Sequence, residues 1–318
     1  MVFTVTTGFV KAQTDPLPSW NDGKVKHQIL SFVSSVTDPS SADFVTEDNR
    51  IVTFDNDGTL WAEQPIYAQL LFAFSRVGEM AANHPKWQTE QPFASLLKGD
   101  VVGALTSSPN AAEKIILTTQ TGMSNNEFKS LARNWVLNSI HPETGKKTID
   151  MVYAPMIELI TYFQNNNFKT YIVSGGDTQF IQAWAELAYN IPPEQVIGSQ
   201  VKQTLKIKDG QAQIIRQPEF KVMNNKTQKA IGILNQIGKR PIAAFGNSDG
   251  DLQMLQYTAL AEGKRLSVII HHTDEEREWK YDRKSQIGTL DKALDEANNQ
   301  GWLIIDMKRD WQTIFPER

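Results

Sequence analysis

Apolar positions recur at helical spacing over residues 20 to 37, where Val25, Ile29, Leu30, Phe32 and Val33 share one side. Pro39 and the Ser-Ser-Ala-Asp run then predict a loop, and Ile51-Val-Thr-Phe54 reads as a strand buried on both faces. Past Leu60 the period turns helical again through Ile66, Leu70, Phe74 and Val77, with His84-Pro85 as the stop. More helix is predicted near 92–105 and 111–121. Ser124 and Glu127 form a capping-box pattern ahead of Phe128, Leu131 and Trp135. No strand pattern occurs between 61 and 149, so this stretch is predicted as an all-helical insertion.

From about 150, short apolar strands alternate with helices. A helix carrying Val152, Met156, Leu159, Ile160 and Phe163 precedes the strand Thr170–Val173, and Phe180, Ile181, Trp184 and Leu187 mark the next helix. Val196–Val201 is a further strand, and the alternation from Leu205 to Ile215 around Asp209-Gly210 predicts a hairpin. The strands Pro241–Phe245, Leu266–Ile270 and Leu303–Asp306 follow, with helices at Lys226–Ile237 and 289–299. This rhythm predicts an α/β fold with a mostly parallel sheet and right-handed crossovers. Ligands of such sheets lie beyond the carboxyl ends of the strands. Asp55, Ser174, Asn247 and His271 each follow a different apolar strand there.

Composition narrows the picture a little. Apolar residues are 40% and charged residues 21%, as in ordinary globular chains, and a net charge of −4 argues against a nucleic-acid surface. No stretch reaches the roughly 20 apolar residues of a membrane span. The absence of cysteine excludes disulfides, thiol catalysis and Cys-based zinc sites. Residues 1 to 13 hold a short semi-apolar stretch without a charged start; it resembles a weak export leader and favours export over cytoplasmic residence.

The chemistry concentrates in Asp55-Asn56-Asp57-Gly58-Thr59-Leu60. Alternation puts the Asp55 and Asp57 side chains together and turns Asn56 away. Two carboxylates at a buried strand end are costly without a cation or a proton. The pattern Asp-x-Asp-Gly-Thr-Leu after an apolar strand resembles the first signature of the haloacid dehalogenase-like hydrolases, and the insertion point resembles the phosphoserine-phosphatase-like branch.

That resemblance implies a Rossmann-like core (45–60 plus 150–318), a helical cap (61–149) hinged near Leu60-Trp61 and Gly145–Ile149, and an N-terminal leader-like segment and helix (1–44). It implies a magnesium-dependent phosphatase acting on a small phosphomonoester, with Asp55 as nucleophile and Asp57 as acid and base. Ser174 with Gly175, Gly176 and the amino end of the next helix would cradle phosphate. By spacing, Lys226 resembles the family lysine best, ahead of Lys229 and Lys221. Thr59 offers a hydroxyl past the turn, and Glu63 could read the substrate or be an exposed helix-start carboxylate. Magnesium (Mg2+) would be held by Asp55, the Asp57 carbonyl and a loop oxygen. Asn247 stands where the family has an acid; Asp251 would support the site from behind by holding Lys226, and Asp249 is the alternative ligand. His271 and His272, adjacent in a strand, point apart and are read as structural. Carbon–halogen hydrolysis is disfavoured by Asp57, while a phosphomutase and a phosphate-binding protein without turnover are the other readings. Oligomeric state is not legible.

Overall fold

The computed structural model describes residues 15–316. The leader-like stretch therefore lies outside the described residues. The chain begins with α1 (Lys24–Thr37), β1 (Ile51–Phe54) and α2 (Ala68–Met80), then α3 (Phe93–Leu97), α4 (Val101–Thr106), α5 (Ala111–Gln120) and α6 (Asn125–Asn138). Next come α7 (Ala154–Asn165), β2 (Lys169–Asp177), α8 (Thr178–Gln182), α9 (Ala185–Tyr189), β3 (Val196–Lys208), β4 (Gln211–Val222) and α10 (Thr227–Ile237). The remainder is β5 (Ala243–Gly246), α11 (Leu252–Ala259), β6 (Leu266–His271), α12 (Lys292–Gln300), β7 (Leu303–Asp306) and α13 (Met307–Asp310).

The strands form one seven-stranded sheet in the order β4-β3-β2-β1-β5-β6-β7, with β3–β4 the antiparallel pair. The rest pair in parallel. This is the Rossmann-like α/β architecture, and the strand order reverses at the β1/β5 junction, where a crevice opens in such sheets. The period of two sorts side chains between two cores. Phe54, Ile172, Phe245, Val268 and Ile270 face one core, and Val173, Ala244 and Ile269 face the other. Phe54 stacks on Phe245 with ring centroids 4.9 Å apart, which fixes the register of β1 against β5 at the base of the crevice.

Among the described residues, none between 61 and 149 belongs to a strand of the sheet. Phe72 of α2 and Phe128, Ala132 and Val136 of α6 join the main core, while Val77, Trp87, Phe93 and Ile115 gather a small core of their own. Leu60 and Trp61, expected at a hinge, are buried: Trp61 stacks on Trp184 at 4.2 Å, and the Tyr153 amide donates to the Leu60 carbonyl. The helix expected through Leu187 is broken at Ala183-Trp184 into α8 and α9, which leaves Leu187 exposed. The hairpin turns where expected, with Asp209 and Gly210 both at positive φ, the requirement of a two-residue turn of this hand.

Candidate active site

The site is assembled from the carboxyl ends of β1, β2 and β5, with α10 reaching in from the flank. Asp55 is the first residue past β1, and its amide donates to the Phe245 carbonyl at 2.9 Å. Asn56 turns away, as alternation requires, and its Oδ1 accepts from the Tyr189 hydroxyl at 3.4 Å. The chain then folds tightly, the Asn56 carbonyl accepting from the Thr59, Leu60 and Trp61 amides. Gly58 lies at φ +75°, and a Cβ there would fall 2.1 Å from Asn247 Nδ2, so this position requires glycine twice over. Asp57 is held by the Trp61 indole N–H, which donates to Oδ1 at 2.8 Å.

The lysine of the site is Lys229, not Lys226. Lys229 is buried on the inward face of α10, one turn before Ile233, and its Nζ lies 2.5 Å from Asp55 Oδ1 and 2.6 Å from Asp251 Oδ1. Lys226 precedes the helix at φ +54°, exposed, its amide bound to the Gly250 carbonyl. Because α10 begins only at Thr227, the side chain of Lys226 does not follow the helical face on which Lys229 and Ile233 lie.

Asp251, expected among the metal-site residues, is instead bonded to Lys229 and to its own loop. Its Oδ2 accepts from the Asn247 amide, the Ser248 amide and the Ser248 hydroxyl, each at 3.1 Å, and its Oδ1 takes Lys229. The carboxylate positions the loop and the lysine. Gly246 permits this, since a Cβ there would sit 2.5 Å from the Asp251 Cβ. Asp249 is committed at one oxygen: Oδ1 accepts from the Asp291 and Ala293 amides at the start of α12.

Two substrate-contact expectations change. Thr59 is fully buried and its hydroxyl donates to Asn247 Oδ1 at 3.0 Å, so it orients the loop after β5. Glu63 is neither overhanging nor exposed. It lies in the extended segment before α2, 2% exposed, and its Oε1 accepts from Asn247 Nδ2 at 2.7 Å and from the Tyr281 hydroxyl at 2.8 Å. Behind Tyr281 stands His272, stacked on it at 4.2 Å and 2.8 Å from the Gly58 carbonyl through Nε2. His271 sits apart, 3.5 Å from Asp282. The histidines are structural. Tyr281 and the Trp61 indole went unseen in the sequence: Trp61 borders the motif, but nothing around Tyr281 marks it.

Ser174 is buried at the end of the apolar part of β2, and its Oγ accepts from the Gly176 amide at 3.0 Å. Gly175 is exposed beside it and Gly176 half-buried. The helix that was expected to complete a phosphate cradle is only five residues long, and Asp177 takes its Gln179 and Phe180 amides. What remains for an anion is the Ser174–Gly176 turn itself. Asp177 is in turn locked to the fully buried Arg216 of β4 at 2.8 Å, and Arg216 lies over the Phe128 ring of α6.

Electrostatically the site is short of positive charge. Burial, reinforced by the Asp251 charge, pushes Asp55 up to about 7 despite Lys229. Burial also raises Asp57, with the Trp61 hydrogen bond offsetting part of the effect, and lifts Glu63 well above the ordinary carboxylate range. Burial works against the charge of Lys229, but Asp251 and Asp55 outweigh it and hold the ammonium. Asp55 and Asp251 thus share the Lys229 ammonium, while Asp57 and Glu63 are held by neutral donors, the Trp61 indole, the Asn247 amide and the Tyr281 hydroxyl. No three acidic or imidazole side chains converge as a ready-made cluster among those residues, because Asp251 is consumed and Asn247 is neutral. The oxygens left over are hard donors with a negative excess: the Asp55 carboxylate, the Asp57 main-chain carbonyl and the Asn247 amide. That set suits a hard divalent cation.

The model of the haloacid dehalogenase-like hydrolase family matches residues 52–256, from within β1 to within α11. The chain belongs to the haloacid dehalogenase-like hydrolases. This family member is similar in structure to a protein of unknown function from Bordetella pertussis Tohama I, at 14% identity over 81% of this chain and 99% of that one, with TM-score 0.51. It is also similar to a conserved, functionally unknown protein from Anaerococcus prevotii DSM 20548, at 13% identity over 88% and 91% of the two chains, TM-score 0.55. At such identities the likeness is one of fold. No curated protein matches the sequence.

Proposed function

We propose that this hydrolase is a magnesium-dependent phosphatase that cleaves a small phosphomonoester through an aspartyl-phosphate on Asp55. The observation that carries the reading is the Asp55–Lys229–Asp251 chain at the β1/β5 switch point, with Asp57 two residues on. Lys229 occupies Asp55 Oδ1, which leaves Oδ2 to attack phosphorus in line with the leaving oxygen. Burial raises the Asp57 carboxyl, the direction that an acid for the leaving oxygen requires. The proton passes from Asp57 to that oxygen as the P–O bond breaks. Asp57 then takes a proton from the water that opens the acyl-phosphate, returning Asp55 and releasing phosphate.

Ser174 and the amide of Gly175 would hold the phosphoryl oxygens opposite the nucleophile. Asp55, the Asp57 carbonyl and Asn247 would hold magnesium, which when bound offsets the repulsion between carboxylate and phosphate and lowers the Asp55 pKa. The helical segment 61–149 is read as the cap, and its Gln69 Oε1 accepts from the Asp177 amide at 2.8 Å. Among the described residues no helix is long and apolar enough to cross a membrane.

The test is hydrolysis of an aryl phosphate with magnesium, with chelator, and with Asp55→Asn. Magnesium-dependent turnover is expected from the wild type, with background rates from the variant. Turnover by Asp55→Asn at the wild-type rate, or turnover indifferent to chelator, would overturn the reading.

A further inference from the structure

At the β5 loop the family's acid is replaced by Asn247, which leaves a prospective cation with one charge fewer than an all-acid site would give. The missing charge is present in space. Glu63, 184 positions away in sequence, accepts a 2.7 Å hydrogen bond from Asn247 Nδ2. Glu63 Oε1 accepts here, from Tyr281 as well as from Asn247, so it fixes which end of the amide faces it and turns Asn247 Oδ1 the other way. Thr59 donates to that oxygen and leaves a second lone pair unused. Glu63 is itself held fast: Tyr281 donates to Oε1, and the backbones of Gly58 and Gly288 close in so tightly that a Cβ on either would meet Oε1 at 2.4 and 2.0 Å.

We propose that, when a divalent cation is bound, Glu63 and Asn247 act as a divided aspartate, the amide oxygen of Asn247 supplying the metal ligand and the Glu63 carboxylate its negative charge through the hydrogen bond. Glu63 is then a positioning residue: it orients the amide and polarises it, as carboxylates behind ligating groups do. The inference rests on the reading of Asp55, Asp57 and Asn247 as a divalent-cation site.

The experiment is calorimetric titration of the substrate-free protein with magnesium, which needs no turnover. Glu63→Gln is expected to weaken magnesium binding by about 10–100-fold, the usual effect of removing a supporting carboxylate. The double variant Glu63→Gln with Asn247→Asp moves the charge onto the ligand and lets the Gln amide donate to it, so it is expected to restore wild-type affinity or exceed it. Unchanged affinity in Glu63→Gln, with the defect confined to KM for substrate, would overturn the inference and make Glu63 a substrate contact. A weakened single variant that the charge-swapped double fails to rescue would overturn it too. Asp55→Ala separates the two layers. If the wild type binds magnesium and Asp55→Ala does not, the cation site stands and only the role of Glu63 is at stake. If neither discriminates, the underlying site reading has failed.

Discussion

In the metal-free protein, Asp55→Asn is expected to raise stability while it abolishes turnover. Asp55 is 6% exposed, and its carboxyl is pushed from 3.8 to about 7 by burial and by Asp251, even with Lys229 bound to it. Holding it ionised in the fold therefore costs about 4 kcal/mol, from roughly 1.4 kcal/mol per pKa unit. The sign follows from linkage: a carboxyl with a raised folded pKa favours folding below its unfolded pKa, and that contribution is lost as pH rises from 3.8 through about 7. An asparagine mimics the protonated form and does not titrate. At about pH 8 the variant should then exceed the wild type by up to ~4 kcal/mol, or about 8 °C in Tm at ~2 °C per kcal/mol for a chain of this size. At about pH 5 the gap should shrink to under ~2 kcal/mol, because the folded wild type has already taken up its proton.

Differential scanning calorimetry in chelator at the two pH values measures both quantities. Saturating magnesium should narrow the gap at pH 8, since it stabilises the wild type by mass action and the variant far less. A variant less stable than the wild type at pH 8 would refute the reasoning, and so would a gap of equal size at both pH values. The first would mean that Lys229 more than offsets the burial of Asp55.

Lys229→Met should abolish phosphatase activity and destabilise the fold by about 3–5 kcal/mol, since it leaves Asp55 and Asp251 buried without their cation. Lys226→Met should retain near-wild-type kcat/KM, and the reverse ranking in a kinetic assay would return the role to Lys226. Arg216→Met should cost about 3–5 kcal/mol in urea unfolding by stranding the buried Asp177, and a loss below ~1 kcal/mol would refute the reading of that pair as a structural lock.

Much of this architecture was written in local pattern. The apolar runs ending at Asp55, Ser174 and Asn247 located three of the four strand ends that matter, because a strand buried on both faces announces itself in composition. The capping box at Ser124 holds in the structure, where its side chain accepts from the Glu127 amide. Lys229 was recoverable as well: Ile233 and Ile237 set the inward face of α10, and stepping back four residues from Ile233 lands on 229 inside the helix. Spacing to the acidic loop, which favoured Lys226, says nothing of which face a residue occupies. Glu63 was a different case. Its partners Asn247 and Tyr281 come from distant elements brought in by tertiary folding, and no period in the sequence carries that information.

The deeper limit is that residue type gives a side chain's chemistry but not how much of it is already committed. Thr59, Asp177, Asp249 and Asp251 all bear groups fit for a phosphatase site, and each sits within a few residues of a signature. In the fold much of this is committed: the Thr59 hydroxyl proton goes to Asn247, Asp177 accepts from Arg216 and two amides, Asp251 from three donors and Lys229, and one oxygen of Asp249 from the start of α12. A buried acceptor that is fully satisfied has no capacity left for substrate or metal without losing bonds that cost about 1–3 kcal/mol each to break. The same accounting leaves capacity on Asp55, which spends one oxygen on Lys229 and keeps the other at the end of β1, and on Asn247, whose amide is held at both ends yet retains a lone pair. Reactive groups in this site are those that the surrounding hydrogen bonds orient without saturating.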